Sequence, residues 1–154
     1  MAGKKNSAAQ PCPVARGVDL VGDRWALLIV RDAFDGVRRF GDFQRNLGVA
    51  RNILADRLRM LVDAGILASQ PASDGSAYQE YVLTPKGDDL FPVIVALRRW
   101  GERHLFAAGE AHSVLVRRDT GEAAGDLALR TAGGEQLSAS DVYVKKVADG
   151  PGPR

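Results

Sequence analysis

Apolar residues fall at helical spacing from Val14 onward. Val14, Val18 and Val21 stand at i, i+4 and i+7, which predicts a short helix closed by Gly22. Asp23 is placed to cap a second helix, in which Trp25, Leu28 and Ile29 form one face and Leu27, Val30 and Phe34 widen it as far as Asp35-Gly36. After Phe40, Phe43 and Leu47 lie four apart in a third, short helix that Gly48 ends. Between Arg51 and Ala64, Leu54, Leu58 and Leu61 repeat at i, i+4 and i+7, with Gly65 as the stop. The period then changes. Residues 66–70 and 78–83 suit strands, and Asp74-Gly75 between them signals a hairpin turn. Thr84 as cap and Pro85 as first residue open one last helix running to Phe106; its Leu90, Phe91, Val93, Ile94, Leu97, Trp100, Leu105 and Phe106 cover more than one face. One face can close the core of a single chain, and the other asks for a partner.

A short helix, a glycine turn and a longer amphipathic helix, followed by a hairpin, predict an α+β fold: a winged helix-turn-helix with flanking dimerisation helices. Beyond Ala107 the chain becomes small and glycine-rich, with short apolar runs at Val114–Val116, Leu127–Leu129 and Val142–Val144 that predict a small β meander. The expected organisation is a flexible N-terminal arm (1–13), a DNA-binding and dimerisation domain (14–106), a small β-rich C-terminal extension (107–148) and a disordered tail (149–154).

Composition changes this picture little. A chain of 154 residues, 45% hydrophobic and 26% charged, is long enough to bury its own core. No stretch approaches the roughly eighteen apolar residues of a membrane span, and the lysines near the N-terminus have no apolar run behind them. With one cysteine, no internal disulfide can form. These features lead us to expect a cytoplasmic protein that does not engage a membrane. Net charge is only +2, but its distribution is uneven. Residues 36–70 carry Arg38, Arg39, Arg45, Arg51, Arg57 and Arg59 against Asp42, Asp56 and Asp63, whereas residues 107–154 have six basic against seven acidic side chains.

The positive excess falls on the longer helix of the pair. There Leu54, Leu58 and Leu61 occupy one side, with Asn52, Asp56, Arg59 and Asp63 opposite and Ala55 on the flank. Side chains that read base edges in a major groove are amides and guanidinium groups near a helix N-terminus, and Arg51, Asn52 and Arg59 meet that need. Arg38 and Arg39 are placed to meet phosphates from the preceding turn. Arg57, at the border of the apolar stripe, is expected to pack its stem and pair its head with Asp35 or Asp42. Enzyme chemistry finds no support: His104 and His112 have no ligand cluster near them, and Gly133-Gly134 lacks the setting of a phosphate cradle. No cofactor and no metal are expected.

Taken together, Cys12-Pro13-Val14-Ala15-Arg16, Gly22-Asp23-Arg24-Trp25, Arg39-Phe40-Gly41-Asp42-Phe43, Asn52-Ile53-Leu54-Ala55-Asp56-Arg57-Leu58, Ala64-Gly65-Ile66-Leu67 and Tyr81-Val82-Leu83-Thr84-Pro85-Lys86-Gly87 resemble the HxlR family of bacterial transcriptional regulators over about residues 12–106. The resemblance implies homodimers joined through N- and C-terminal helices, presenting two winged helices to a pseudo-palindromic double-stranded DNA operator. The expected function is therefore a sequence-specific regulator, taken as a repressor. Its expected DNA-facing residues are Arg38, Arg39, Arg51, Asn52, Ala55, Asp56 and Arg59. Two signal entries are candidates. Cys12 lies in the region resembling the redox-sensing position of some members, and Trp25, Phe91 and Trp100 would line an effector pocket between the dimer-forming helices. The alternative is a winged-helix protein-interaction module with little DNA affinity, which acidic Asp56 and Asp74 on the contact surface favour.

Overall fold

A computed structural model describes residues 11–147, in two compact units that divide between Ile94 and Val95. Residues 1–10 of the expected arm and the 149–154 tail lie outside the described residues.

The first unit opens with α1 (Pro13–Val21), where Cys12 is the N-cap and its Sγ accepts from the Ala15 N–H at 3.4 Å. After Gly22 comes α2 (Arg24–Phe34), and Asp23 caps it, one carboxylate oxygen accepting from the N–H groups of Trp25 and Ala26. Next are α3 (Phe40–Leu47) and α4 (Arg51–Asp63), joined through Gly48, whose φ of +60° is the left-handed conformation that ends α3. The wing follows: β1 (Leu67–Pro71) pairs antiparallel with β2 (Gln79–Leu83), in register from Leu67 opposite Leu83 to Pro71 opposite Gln79. Arg39 adds a bridge to Glu80 on the free edge of β2, and the Tyr81 N–H donates to the Arg38 carbonyl at 2.8 Å. The segment before α3 is thereby fastened to the wing.

One core explains the arrangement. Ala26, Ile29 and Val30 of α2, Phe43 of α3, Val49 of the turn that follows it, Leu54, Leu58 and Leu61 of α4, and Ile66 and Leu67 are all buried against one another, with Trp25, Phe34, Leu90 and Ile94 packed on their margin. All three leucines expected on the inner side of α4 are in this cluster.

Two expectations are corrected. The single helix from Pro85 to Phe106 is instead α5 (Pro85–Asp88) and α6 (Phe91–His104), separated at Asp89 and Leu90. Pro92 supplies the reason: it has no N–H for the Asp88 carbonyl, and its ring disfavours a helix running through the preceding turn. The second correction concerns the meander. Among the described residues beyond Ala107, pairing is limited to β3 (Leu129–Arg130) with β4 (Gln136–Leu137) and a bridge between Val116 and Ala123, while Val142–Val144 forms no strand. Three consecutive apolar residues do not alternate, so they define no buried and solvated face to hold a register. In the second unit no residue from 107 to 147 is buried.

Candidate nucleic-acid interface

With its three leucines inward, α4 turns Asn52, Ala55, Asp56 and Arg59 outward, all exposed. Together with Ile53 and Arg57 they line one shallow groove of about 510 Å³. Ala50, at the N-cap, offers no side-chain acceptor, so the first N–H groups of α4 keep their positive end available to an anion. A second depression, about 530 Å³, runs between α3 and the wing and is lined by Arg39, Gln44, Arg45, Arg51, Tyr78 and Gln79 among others. The expected residues are therefore gathered on two adjoining concavities, except Arg38, which borders a smaller depression with Val37, Tyr81 and Asp88.

Nearly every one of these arginines is held by a carboxylate or a ring. Arg39 pairs with Asp74 of the wing turn and lies over the Tyr78 ring, 5.5 Å from its centroid. Arg51 covers the Phe40 ring at 5.0 Å. Arg59 donates to Asp56 at 3.0 Å, and Arg45 pairs with Asp42. Arg38 lies 3.5 Å from Glu80, a buried carboxylate that also accepts from the Ser73 N–H and hydroxyl. The Asp74 carboxyl is held down at about 2, first by hydrogen bonding from Ser76, whose N–H is 2.9 Å away, and then by Arg39. A carboxylate lowered in this way keeps its pairing above its ordinary range near 4 and loses it only as pH falls through about 2. The Asp74–Arg39 contact therefore persists at any pH near neutrality.

Arg57 departs from expectation. Its Nε donates to Asp23 at 2.9 Å and its second arm to Asp56 at 2.6 Å, not to Asp35 or Asp42. Asp23 thus does two jobs, capping α2 and tying it to α4, and the Arg57 hydrogen bond is the main cause of its lowered pKa. Sequence spacing could not show this contact, because the partners are 34 residues apart. Arg45 and Tyr78 also line the groove without having been singled out; the arginine excess pointed to the first, and an aromatic beside a wing turn is the signal for the second.

The model of the HxlR-like helix-turn-helix family matches residues 20–108. The chain belongs to that family. An HTH-type transcriptional regulator of Mycobacterium tuberculosis is 44% identical over 141 residues, spanning 91% of this chain and 85% of that protein. Among solved structures, the candidate transcription factor PA1607 is 50% identical with a TM-score of 0.86, covering 92% of this chain and 99% of the other. The oxidised form of the redox regulator HypR is 29% identical with a TM-score of 0.57, covering 62% of this chain and all of that one. This HxlR-like protein is a transcriptional regulator with a helix-turn-helix, and not an enzyme. Among its described residues no cluster of His, Cys, Asp and Glu could hold a metal ion, and no helix is long and apolar enough to cross a membrane.

As for the two signal candidates, Cys12 is exposed. Phe91 packs its ring 5.2 Å from Phe34, Trp25 sits under Arg24 on the margin of the core, and Trp100 is exposed beside His104.

Proposed function

We propose that this HxlR-like chain acts as a homodimeric repressor that reads a pseudo-palindromic operator, with α4 in the major groove of each half-site. The observation that carries this is the face of α4. Asn52, Ala55, Asp56 and Arg59 share one open groove while the opposite face is anchored in the core, which is the arrangement a recognition helix needs. In this reading Asn52 addresses adenine and Arg59 guanine, Ala55 leaves room for a thymine methyl, and Asp56 orients Arg59. Arg38 and Arg39 meet the backbone, and Arg51 joins Asn52 and Arg59 at the base edges. Dimerisation is supported by large apolar side chains left open on α1 (Val14, Val18) and α6 (Val93, Leu97, Trp100).

Selection of bound duplexes from a random pool, followed by Asn52→Ala and Arg59→Ala, tests the assignment. Each substitution should cost roughly 1–3 kcal/mol on the selected site and relax base choice, with little change on random DNA. Equal losses on both would make them backbone contacts instead.

The alternative, a protein-interaction module, is favoured by the carboxylates that occupy the arginines. Asp74→Ala discriminates. Releasing Arg39 should raise affinity for random duplex several-fold and steepen the salt dependence by about one phosphate contact. A module that does not meet DNA shows no salt slope in either form. A signal would enter through the exposed Cys12 thiol or through the aromatic group Trp25, Phe91 and Trp100; a peroxide effect on operator affinity that survives in Cys12→Ser removes the first of these.

A further inference from the structure

The second unit is built inside out. Along α6, Val95 is buried and the side chains around it are polar: Arg98, Arg99 and Glu102. These hold the C-terminal extension. Arg98 donates to the Ser113 carbonyl at 3.0 Å and to its hydroxyl at 2.9 Å. Arg99 donates to the carbonyls of Ala124 and Gly125 at 2.6 and 2.8 Å while pairing with Glu102 at 2.9 Å, and Arg103 reaches Asp126 at 3.5 Å. On a helical wheel Val93, Leu97 and Trp100 form the opposite stripe, and all three are exposed.

The extension shows the same inversion. Turns give it a defined path: Arg117 N–H to the Glu122 carbonyl and Ala124 N–H to the Leu115 carbonyl, both 2.8 Å, then Thr131 N–H to the Glu135 carbonyl at 2.9 Å. Yet Val114, Val116, Leu127, Leu129, Val142, Tyr143 and Val144 remain 44–86% exposed. Fixing a residue costs about 1–2 kcal/mol of backbone entropy, and burial of large apolar side chains is what normally offsets it. Within one chain that offset is missing here.

We propose that residues 113–147 form a clasp whose apolar runs close on a second copy of this chain. The proposal rests on the homodimeric reading above and adds to it a second contact outside the α1 and α6 helices. Three observations favour a second copy over another occupant. Leu97 and Trp100 of the open stripe and the open runs of the extension belong to one unit, so the unit that already offers apolar side chains of α6 to the partner chain offers those of the extension as well. Residues 107–147 carry five basic and six acidic side chains, so two copies meet without net repulsion and DNA has no charge to follow. The similarity to PA1607 and to the mycobacterial regulator extends over 92% and 91% of this chain, so the extension travels with the regulator itself. A contact between two copies then needs no foreign partner to travel with it.

The test uses the full chain carrying Val116→Glu, Leu129→Glu and Val144→Glu together, with Tyr143→Glu as a milder second variant. All four positions are exposed in the single chain, so its helical circular dichroism should not change. Sedimentation equilibrium should show dimer dissociation constants raised about 100-fold for the triple variant and about tenfold for Tyr143→Glu, with affinity per protomer for a single half-site unaltered. Values within threefold of the unsubstituted protein for both variants overturn the clasp. Leu97→Glu is the reference: it should weaken the dimer with or without the clasp, so clasp variants that stay dimeric where Leu97→Glu dissociates overturn the clasp while the homodimer stands. An unsubstituted protein that is monomeric at micromolar concentration overturns both.

Discussion

Replacing Phe43 by alanine is expected to lower the free energy of unfolding by about 3–5 kcal/mol, a large part of what a domain of this size possesses. Phe43 is the largest fully buried side chain among the described residues, and it is the one residue of α3 that is completely inside. Its ring lies in the same cluster as Leu54, Leu58 and Leu61 of α4 and Ile29 of α2. Two costs combine: the transfer of the ring's apolar surface to water, and a cavity that three packed helices cannot collapse to fill. Urea unfolding measures it. Phe43→Leu, which restores most of the volume, should recover more than half of the loss. If alanine costs less than about 1 kcal/mol, the α3–α4 pair is not seated as described.

The second large effect lies at the far end of α4. There three successive carbonyls, of Ala64, Gly65 and Ile66, are taken up by the corner that begins α5. The Lys86 ammonium donates to Ala64 at 2.7 Å, the Thr84 hydroxyl lies on Gly65 and Ile66, and the Thr84 N–H donates to Ile66 at 3.1 Å. Thr84 Oγ1 also accepts from the Gly87 N–H at 3.1 Å. Gly87 is buried in this corner, and a methyl group on it would stand 2.2 Å from the Ile66 carbonyl oxygen and 3.0 Å from Leu83. The Ile66 backbone has to move, and the Leu83 side chain with it. Gly87→Ala should therefore cost about 3 kcal/mol or more, near the upper end of overpacking effects, and a thermal melt reads it directly. Gly101→Ala, where nothing lies within 4 Å of the added carbon, is the matched control and should leave stability the same or slightly raised.

How far the sequence carries this structure depends on where its contacts lie. The helices of the first unit and the wing are legible because each is set by local signals: the leucine spacing in α4, the caps Asp23 and Thr84, glycine after α3, and Asp74-Gly75 in the hairpin. The outward face of α4 follows directly from that spacing, so Asn52, Ala55, Asp56 and Arg59 could be named together. Pairings across long separations are not legible in this way. Arg57 meets Asp23, and Arg39 meets Asp74, because the core brings α2, α4 and the wing into reach, which no periodicity encodes. The break between α5 and α6 was legible in principle, since Pro92 marks it, but the apolar run from Leu90 to Ile94 hides it. The extension misleads for a further reason: its apolar triplets look like strands, and only the packing shows that they have no core of their own to form one.

If α4 reads DNA as proposed, the arginine–carboxylate pairs around it also bear on the search for a site in a genome. A regulator must find a few operators among some 10⁶–10⁹ competing sequences, and every uncompensated cation lengthens its stay on each wrong one. With Arg39, Arg45 and Arg59 each already partnered at home, a stretch of random duplex gains little by displacing Asp74, Asp42 or Asp56. Only a sequence whose base edge takes over the Arg59 guanidinium with better geometry repays that exchange. Under the proposed function the carboxylates would act as a threshold, keeping more of the protein off the bulk of the chromosome and sharpening its response to small changes in copy number.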